Sequence, residues 1–211
     1  EITERLVGSE MCIRDSVILD DADIAKAAKM AVYACFNNSG QECSSLSRLI
    51  VPATARDEVV EVIAATMARY SVGDPMDESI RCGPMVSARQ QESVAGYIAS
   101  GITEGATLVA GGEGMPDGLD SGFYVKPTAF ADVSPNMTIF REEIFGPVLS
   151  ITTYDSEEEA IALANDSEYG LSGGVWSGDE ERALQFARKM RTGQVSICLL
   201  YTSDAADEGF C

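Results

Sequence analysis

Short apolar runs rich in β-branched residues alternate along this chain with amphipathic stretches of about ten residues or more, and that alternation most narrows its fold. Val17–Leu19 reads as a strand, after which Ile24, Ala27, Ala28, Ala31 and Cys35 recur at helical spacing. Arg48–Val51 is a second strand, closed by Pro52. Thr54 with Asp57 resembles a capping box, followed by an apolar stripe of Val59, Val60, Ile63, Ala64 and Met67. Ser87-x-x-Gln90 opens a helix to about Glu104, Ser156-x-x-Glu159 one through Ala164, and Ser177-x-x-Glu180 a last one. Thr107–Ala110, Tyr124–Phe130, Val148–Tyr154 and Gln194–Ile197 read as extended. Strands separated by helices of this length need crossovers, not hairpins. The expectation is an α/β fold with a largely parallel open sheet flanked by helices.

Charge and residue usage then remove whole classes of function. Among 211 residues, 34 acidic side chains against 15 basic ones give a net charge of −19. Such a surface repels phosphate backbones and anionic headgroups, so neither nucleic acid nor membrane is an expected partner. No apolar run approaches the ~20 residues of a membrane helix. The chain has no histidine, which excludes Ser-His-Asp triads, Cys-His proteases and histidine-ligated zinc. The six cysteines, Cys12, Cys35, Cys43, Cys82, Cys198 and Cys211, form no CxxC pair, so no metal site is expected. Reduced thiols and a cytoplasmic setting are the expectation, and no secretion signal is visible.

The two ends break the pattern. Residues 1–16 carry scattered charges without helical or alternating period, and 198–211 lead from a beginning strand to no cap or amphipathic helix. The strings SEMCIRDS and CLLYTSDAADE closely resemble translated sequencing-adapter read-through of the kind met in metagenomic assemblies. The expected organisation is therefore one partial domain, 17–197, between two tails, 1–16 and 198–211, that are non-native or poorly packed.

One segment carries chemistry. Phe36-Asn37-Asn38-Ser39-Gly40-Gln41-Glu42-Cys43 lies between a helix and the Arg48–Val51 strand. It places a thiol just past a helix end, beside a glycine and small hydroxyls, where backbone amides can face a developing oxyanion. A thiolate is a strong nucleophile without histidine. By itself, however, a lone cysteine is more often a small buried hydrophobe.

The whole string resembles the nucleophile motif of the NAD(P)-dependent aldehyde dehydrogenases: Phe-x-x-x-Gly-Gln-x-Cys with Arg48 five residues on. Further matches follow in the family's order. They are Val72-Gly73-Asp74-Pro75 with Gly83-Pro84, Glu104-Gly105-Ala106-x-Leu108 with Gly111-Gly112, and Gly122-x-Tyr124-x-x-Pro127-Thr128. After these come Glu142-Glu143-Ile144-Phe145-Gly146-Pro147, Asn165 with Tyr169-Gly170-Leu171-Ser172, and Arg191-Thr192-Gly193. Ser45 stands where the family often has alanine, glycine or asparagine.

The resemblance implies a catalytic-domain fold of aldehyde dehydrogenase type, here incomplete, with NAD or NADP as cofactor and a small-molecule aldehyde as substrate. It implies that Cys43 attacks the aldehyde to give a thiohemiacetal, then a thioester that water hydrolyses to the acid. It implies that Glu143 hydrogen-bonds the nicotinamide ribose and that Phe145 packs near that ribose and ring. A homo-dimeric or homo-tetrameric parent is implied too. Glu42 is set aside as a base, because adjacent side chains diverge and the motif leaves its position variable. The family's general base sits in a Glu-Leu-Gly-Gly-Lys string that does not occur here, so the chain by itself is expected to be inactive. Two other readings stand beside the enzyme: a non-catalytic structural or interaction protein on the same fold, and a thiol redox protein acting through Cys43.

Overall fold

The structure, a computed structural model, describes residues 15–199. The strands are β1 (Asp15–Ile18), β2 (Arg48–Pro52), β3 (Thr107–Ala110), β4 (Thr128–Ala131), β5 (Val148–Tyr154), β6 (Ser172–Ser177) and β7 (Gln194–Leu199). They form one sheet in the order β3-β4-β5-β2-β1-β6-β7, in which every neighbouring pair is parallel except β3 with β4. The helices are α1 (Ile24–Phe36), α2 (Arg56–Met67), α3 (Ala88–Thr103), α4 (Thr138–Arg141), α5 (Glu157–Asn165) and α6 (Glu180–Ala187). This is the mostly parallel, helix-flanked sheet that the alternating pattern predicts.

The central strands are continuous apolar runs because both faces of the sheet are covered. Successive side chains go to opposite cores: Val17, Leu19, Ile50 and Val148 to one, Ile18, Leu49, Val51, Leu149 and Ile151 to the other. The first core is closed by Val94 and Ile98 of α3, Ile139 and Phe140 of α4, and Phe186 of α6. The second is closed by Ala27, Ala28, Val32 and Phe36 of α1 with Val59 and Ile63 of α2.

Local signals account for some helix starts and mislead at others. Ser87 and Ser156 cap α3 and α5 as expected, accepting from the backbone N–H of Gln90 and Glu159. The Thr54–Asp57 box does not form. A short turn at Ala53–Ala55 leads into α2 without a side-chain cap, and the Asp57 carboxylate pairs with Arg56 instead. The cap of α6 is Asp179, not Ser177, whose hydroxyl is taken by Asp21 at the end of β6. The strand expected at 124–130 forms only from Thr128 and runs to Ala131, since Pro127 has no N–H to give to a ladder.

The sheet also claims residues expected to lie in the tails. Asp15 and Ser16 pair with Arg48 and Leu49 in register, and β7 continues through Cys198 to Leu199. The rest of both tails lies outside the described residues. Cys35, Cys43 and Cys82 are free thiols, but Cys198 is disulfide-bonded, so the expectation of reduced thiols fails at that position.

Candidate active site

β2 and β5 are parallel neighbours, with Arg48 opposite Ser150. The segments that enter them, residues 43–47 and 143–147, therefore come together at the amino ends of the strands. This is the end opposite to the crevice that open parallel sheets most often use. The two sequence motifs are joined here by topology, although about a hundred residues separate them in the chain.

Their contact is backbone on backbone. Asn38, Ser39 and Gly40 are three successive residues with left-handed φ values of 47°, 58° and 69°. A Cβ on Gly40 would stand 2.2 Å from the carbonyl oxygen of Gly146, so only glycine allows this approach. Gly146 in turn leaves room for Val94, whose Cγ2 would lie 2.4 Å from a Cβ there. Left-handed serine costs roughly 1–3 kcal/mol and persists only where surroundings hold it. Here Ser39 donates to the Gly83 carbonyl at 3.0 Å and accepts from the buried Cys82 thiol. Gln41 accepts from the Val86 N–H at 2.8 Å and donates to the Pro84 carbonyl at 3.3 Å. Ser45 donates to the Cys35 carbonyl at 2.9 Å, tying the far side of the turn to α1.

Cys43 sits at the tip of this braced loop. The Ser45 N–H donates to the Glu42 carbonyl at 3.1 Å, which closes a tight turn with Cys43 as its second residue. The thiol is exposed and free. Among the described residues no acceptor takes the Cys43 N–H, so that donor is uncommitted next to its own sulfur. Glu42 turns to Asn37, accepting from its amide at 3.0 Å. The other two free thiols differ sharply. Cys35 and Cys82 are buried, and burial pushes the Cys35 thiol far up and raises the Cys82 thiol as well.

Phe145 and the turn at Asn38 and Gln41 line a cleft of about 660 Å³, together with Pro75, Arg81 and Val86 among others. Cys43 lies just beyond this cleft, on the next turn, and Glu143 is also outside its wall. Phe145 has φ 52° and is 38% exposed, an unusual combination for a bulky aromatic. Glu143 is half-buried, and its carboxylate has no hydrogen bond or ion pair to any described residue. A two-oxygen acceptor left open beside an exposed ring fits a diol-bearing ring system such as a nicotinamide riboside. No group of three potential metal ligands occurs among the described residues.

Arg48 was legible as a motif residue, but its role was not. Its side chain is 1% exposed, makes two bonds to the Asp15 carboxylate at 2.5 and 2.8 Å, and lies 4.1 Å over the Phe140 ring. It also donates to the carbonyls of Phe140, Leu163 and Asp166. Arg48 thus anchors the start of β2, five residues from the thiol, to α4 and the end of α5.

Residues 14–209 match the sequence profile of the aldehyde dehydrogenase family. The chain belongs to that family. The match overlaps both expected tails, by a few residues at the first and by most of the second. Among curated aldehyde dehydrogenase relatives, 3-succinoylsemialdehyde-pyridine dehydrogenase of a Pseudomonas species is 48% identical over 182 residues, covering 86% of this chain and 38% of that protein. Geranial dehydrogenase of Castellaniella defragrans is 46% identical over 182 residues, again 86% of this chain, and 37% of its own length. In structure, a Cys→Ala mutant of aldehyde dehydrogenase C from Pseudomonas syringae, in complex with NAD+ and octanal, superposes with a TM-score of 0.87. Its identity is 43%, and the match covers 92% of this chain and 40% of that one. The Mycobacterium tuberculosis aldehyde dehydrogenase complexed with NAD+ gives a TM-score of 0.86 and 45% identity, over 92% of this chain and 40% of that one. This chain therefore spans about two fifths of the length of the aldehyde dehydrogenases it matches.

Proposed function

We propose that the chain is the catalytic-domain portion of an NAD(P)-dependent aldehyde dehydrogenase, an enzyme that oxidises an aldehyde to a carboxylic acid. The observation that carries this reading is the exposed Cys43 thiol with its own uncommitted N–H, on a loop braced against the segment that bears Glu143 and Phe145.

In this reading the Cys43 sulfur attacks the aldehyde carbon, and the carbonyl electron pair moves to oxygen, where the Cys43 N–H receives it. Glu143 accepts from the ribose hydroxyls of a bound dinucleotide and Phe145 packs at its nicotinamide end. NAD or NADP, when bound, supplies the hydride acceptor for the tetrahedral carbon. Transfer of the hydride to that acceptor, with the thiol proton lost to solvent, would leave a thioester on Cys43. Water then adds to the thioester carbon, the C–S bond breaks, and acid and thiol are released. Support comes from the P. syringae relative, which was captured with NAD+ and octanal as a cysteine-to-alanine mutant. The named substrates of the relatives, a pyridine-bearing semialdehyde and geranial, are chemically diverse, so the proposal is an aldehyde without a narrower class. A cytoplasmic enzyme that assembles as a homo-dimer or homo-tetramer completes the proposal.

The test is aldehyde protection. Octanal added before iodoacetamide should slow alkylation of Cys43 in this chain at concentrations that leave a free cysteine peptide unaffected. Equal protection of chain and peptide would remove the oxyanion-binding loop from the argument.

A further inference from the structure

Helix α3 meets the segment 138–146 along a single face. Gln90, Val94, Tyr97, Gly101 and Glu104 follow one another at intervals of four and three residues, the spacing of one helical stripe. Every member of the stripe touches that segment or lies directly beneath it. The Gln90 amide donates to the carbonyls of Ile144 at 3.2 Å and Phe145 at 2.9 Å. Val94 fills the space under Gly146, and Gly101 lets Ile139 approach to 3.0 Å of where a Cβ would be. The Tyr97 hydroxyl donates to the Glu142 carboxylate at 2.8 Å. The Glu104 carboxylate accepts from the N–H and hydroxyl of Thr138, at 2.7 and 2.5 Å.

Glu143 lies in the chain between the residues held by Tyr97 and those held by Gln90. Glu142 has extended backbone and turns toward α3, where it accepts from Tyr97, while Glu143 has no hydrogen bond or ion pair to α3 among the described residues. Directly after, Phe145 is held in a left-handed conformation that a bulky residue adopts only under constraint. The two carbonyls flanking that bend are those that Gln90 binds. We infer that α3 is a splint for the cofactor-facing segment, with Gln90 and Tyr97 as positioning residues that aim Glu143 and Phe145. This rests on the proposed ribose-binding role of those two residues.

The test uses the full 211-residue chain, isotopically labelled, with nicotinamide mononucleotide as probe. In solution NMR the probe should shift the resonances of Glu143 and Phe145, and Glu143→Gln should weaken its binding about tenfold. Gln90→Glu keeps the size of the side chain but faces a carboxylate against two carbonyls. It should weaken probe binding about three- to tenfold, and more than Gln90→Ala, with the urea midpoint little changed. Tyr97→Phe removes one hydroxyl and should cost about two- to threefold. Amide exchange of residues 143–146 in the probe-free chain should quicken in the same order. A splint acting through hydrogen bonds requires glutamate to be worse than alanine at position 90, whereas a packing role gives the reverse. Wild-type probe binding in Gln90→Glu, with Glu143→Gln weakened, would overturn the splint and leave the ribose reading standing. Probe binding that is absent, or unmoved by Glu143→Gln, would overturn the ribose reading and the positioning role with it.

Discussion

Cys43 and Arg48 stand five residues apart in one motif and are opposite in every physical respect. The thiol is exposed, and its backbone donor has no partner among the described residues. The guanidinium is buried, paired with a carboxylate, stacked on a ring and bonded to three carbonyls. One group is held ready by being left uncommitted; the other fixes the strand from which the first is displayed. A short motif can therefore divide into a reacting part and a holding part, and the division predicts which substitutions touch reactivity and which touch stability.

The largest expected effect is in thiol reactivity. Iodoacetamide on the native chain should label Cys43 at least about a thousandfold faster than Cys35 or Cys82. The latter two must wait for an opening of the structure, which in a domain of ordinary stability costs several kcal/mol. Raising the pH should help them less than it helps Cys43's peptide in the unfolded chain, because burial raises both thiols, that of Cys35 by far the more. Peptide mapping by mass spectrometry measures all three at once. Cys35 or Cys82 labelled at a rate near that of Cys43 would break the contrast.

What the sequence could and could not reveal follows the same division. Groups fixed by neighbours in the chain were legible: the caps at Ser87 and Ser156, the apolar stripes of α1 and α2, and the thiol beyond the end of α1. Groups fixed from a distance were not. The partners of Arg48 lie 33, 92, 115 and 118 residues away, and no local pattern encodes them. Strand β6, Ser-Gly-Gly-Val-Trp-Ser, lacks the β-branched run of its neighbours. It is a strand because β1 and β7 pair with its two edges, and Gly173 leaves room for Met190 over the sheet face. Glu143 and Phe145 could be named by motif, but the left-handed φ of Phe145, and the Gln90 amide that binds the carbonyls flanking it from 54 and 55 residues away, could not.

The second effect tests the holding part. Asp15→Ala would leave the Arg48 guanidinium buried without its carboxylate, and breaking such a pair costs roughly 3–5 kcal/mol. The expected result is a large drop in the urea midpoint, with Cys43 still the first thiol labelled wherever the chain is folded. By the same argument, trimming at Val17 should destabilise the chain, contrary to the expectation from sequence, whereas trimming to residues 15–199 should keep the pair. A midpoint unchanged by Asp15→Ala would mean that Arg48 finds compensation elsewhere.

A smaller loss is expected where the two motifs touch. Gly40→Ala puts a side chain at φ 69° against the Gly146 carbonyl. The left-handed penalty of roughly 1–2 kcal/mol and an overpacking cost of roughly 1–3 kcal/mol together give about 2–5 kcal/mol. Because the strain falls on the loop that carries Cys43, octanal protection should fall along with stability. Stability lost with protection intact would show that the Gly40–Gly146 contact supports the sheet but does not shape the site.

The smallest effect belongs to Cys43, the proposed nucleophile. Cys43→Ser changes an exposed sulfur for an oxygen and removes no buried contact. Substitutions of this kind usually lie within about 0.5 kcal/mol. Denaturant midpoints of wild type and Cys43→Ser should therefore be indistinguishable, while octanal protection disappears with the labelled thiol. The same exchange at Cys35 should be visible. That thiol is fully buried and donates to the Val148 carbonyl at 3.4 Å, so a smaller, more polar hydroxyl leaves packing unfilled and must satisfy a donor in an apolar face. A cost of about 1 kcal/mol or more at Cys35, beside none at Cys43, would separate the scaffold thiol from the reactive one. Equal costs at the two positions would show that the Cys43 turn is packed into the fold more firmly than its exposure indicates.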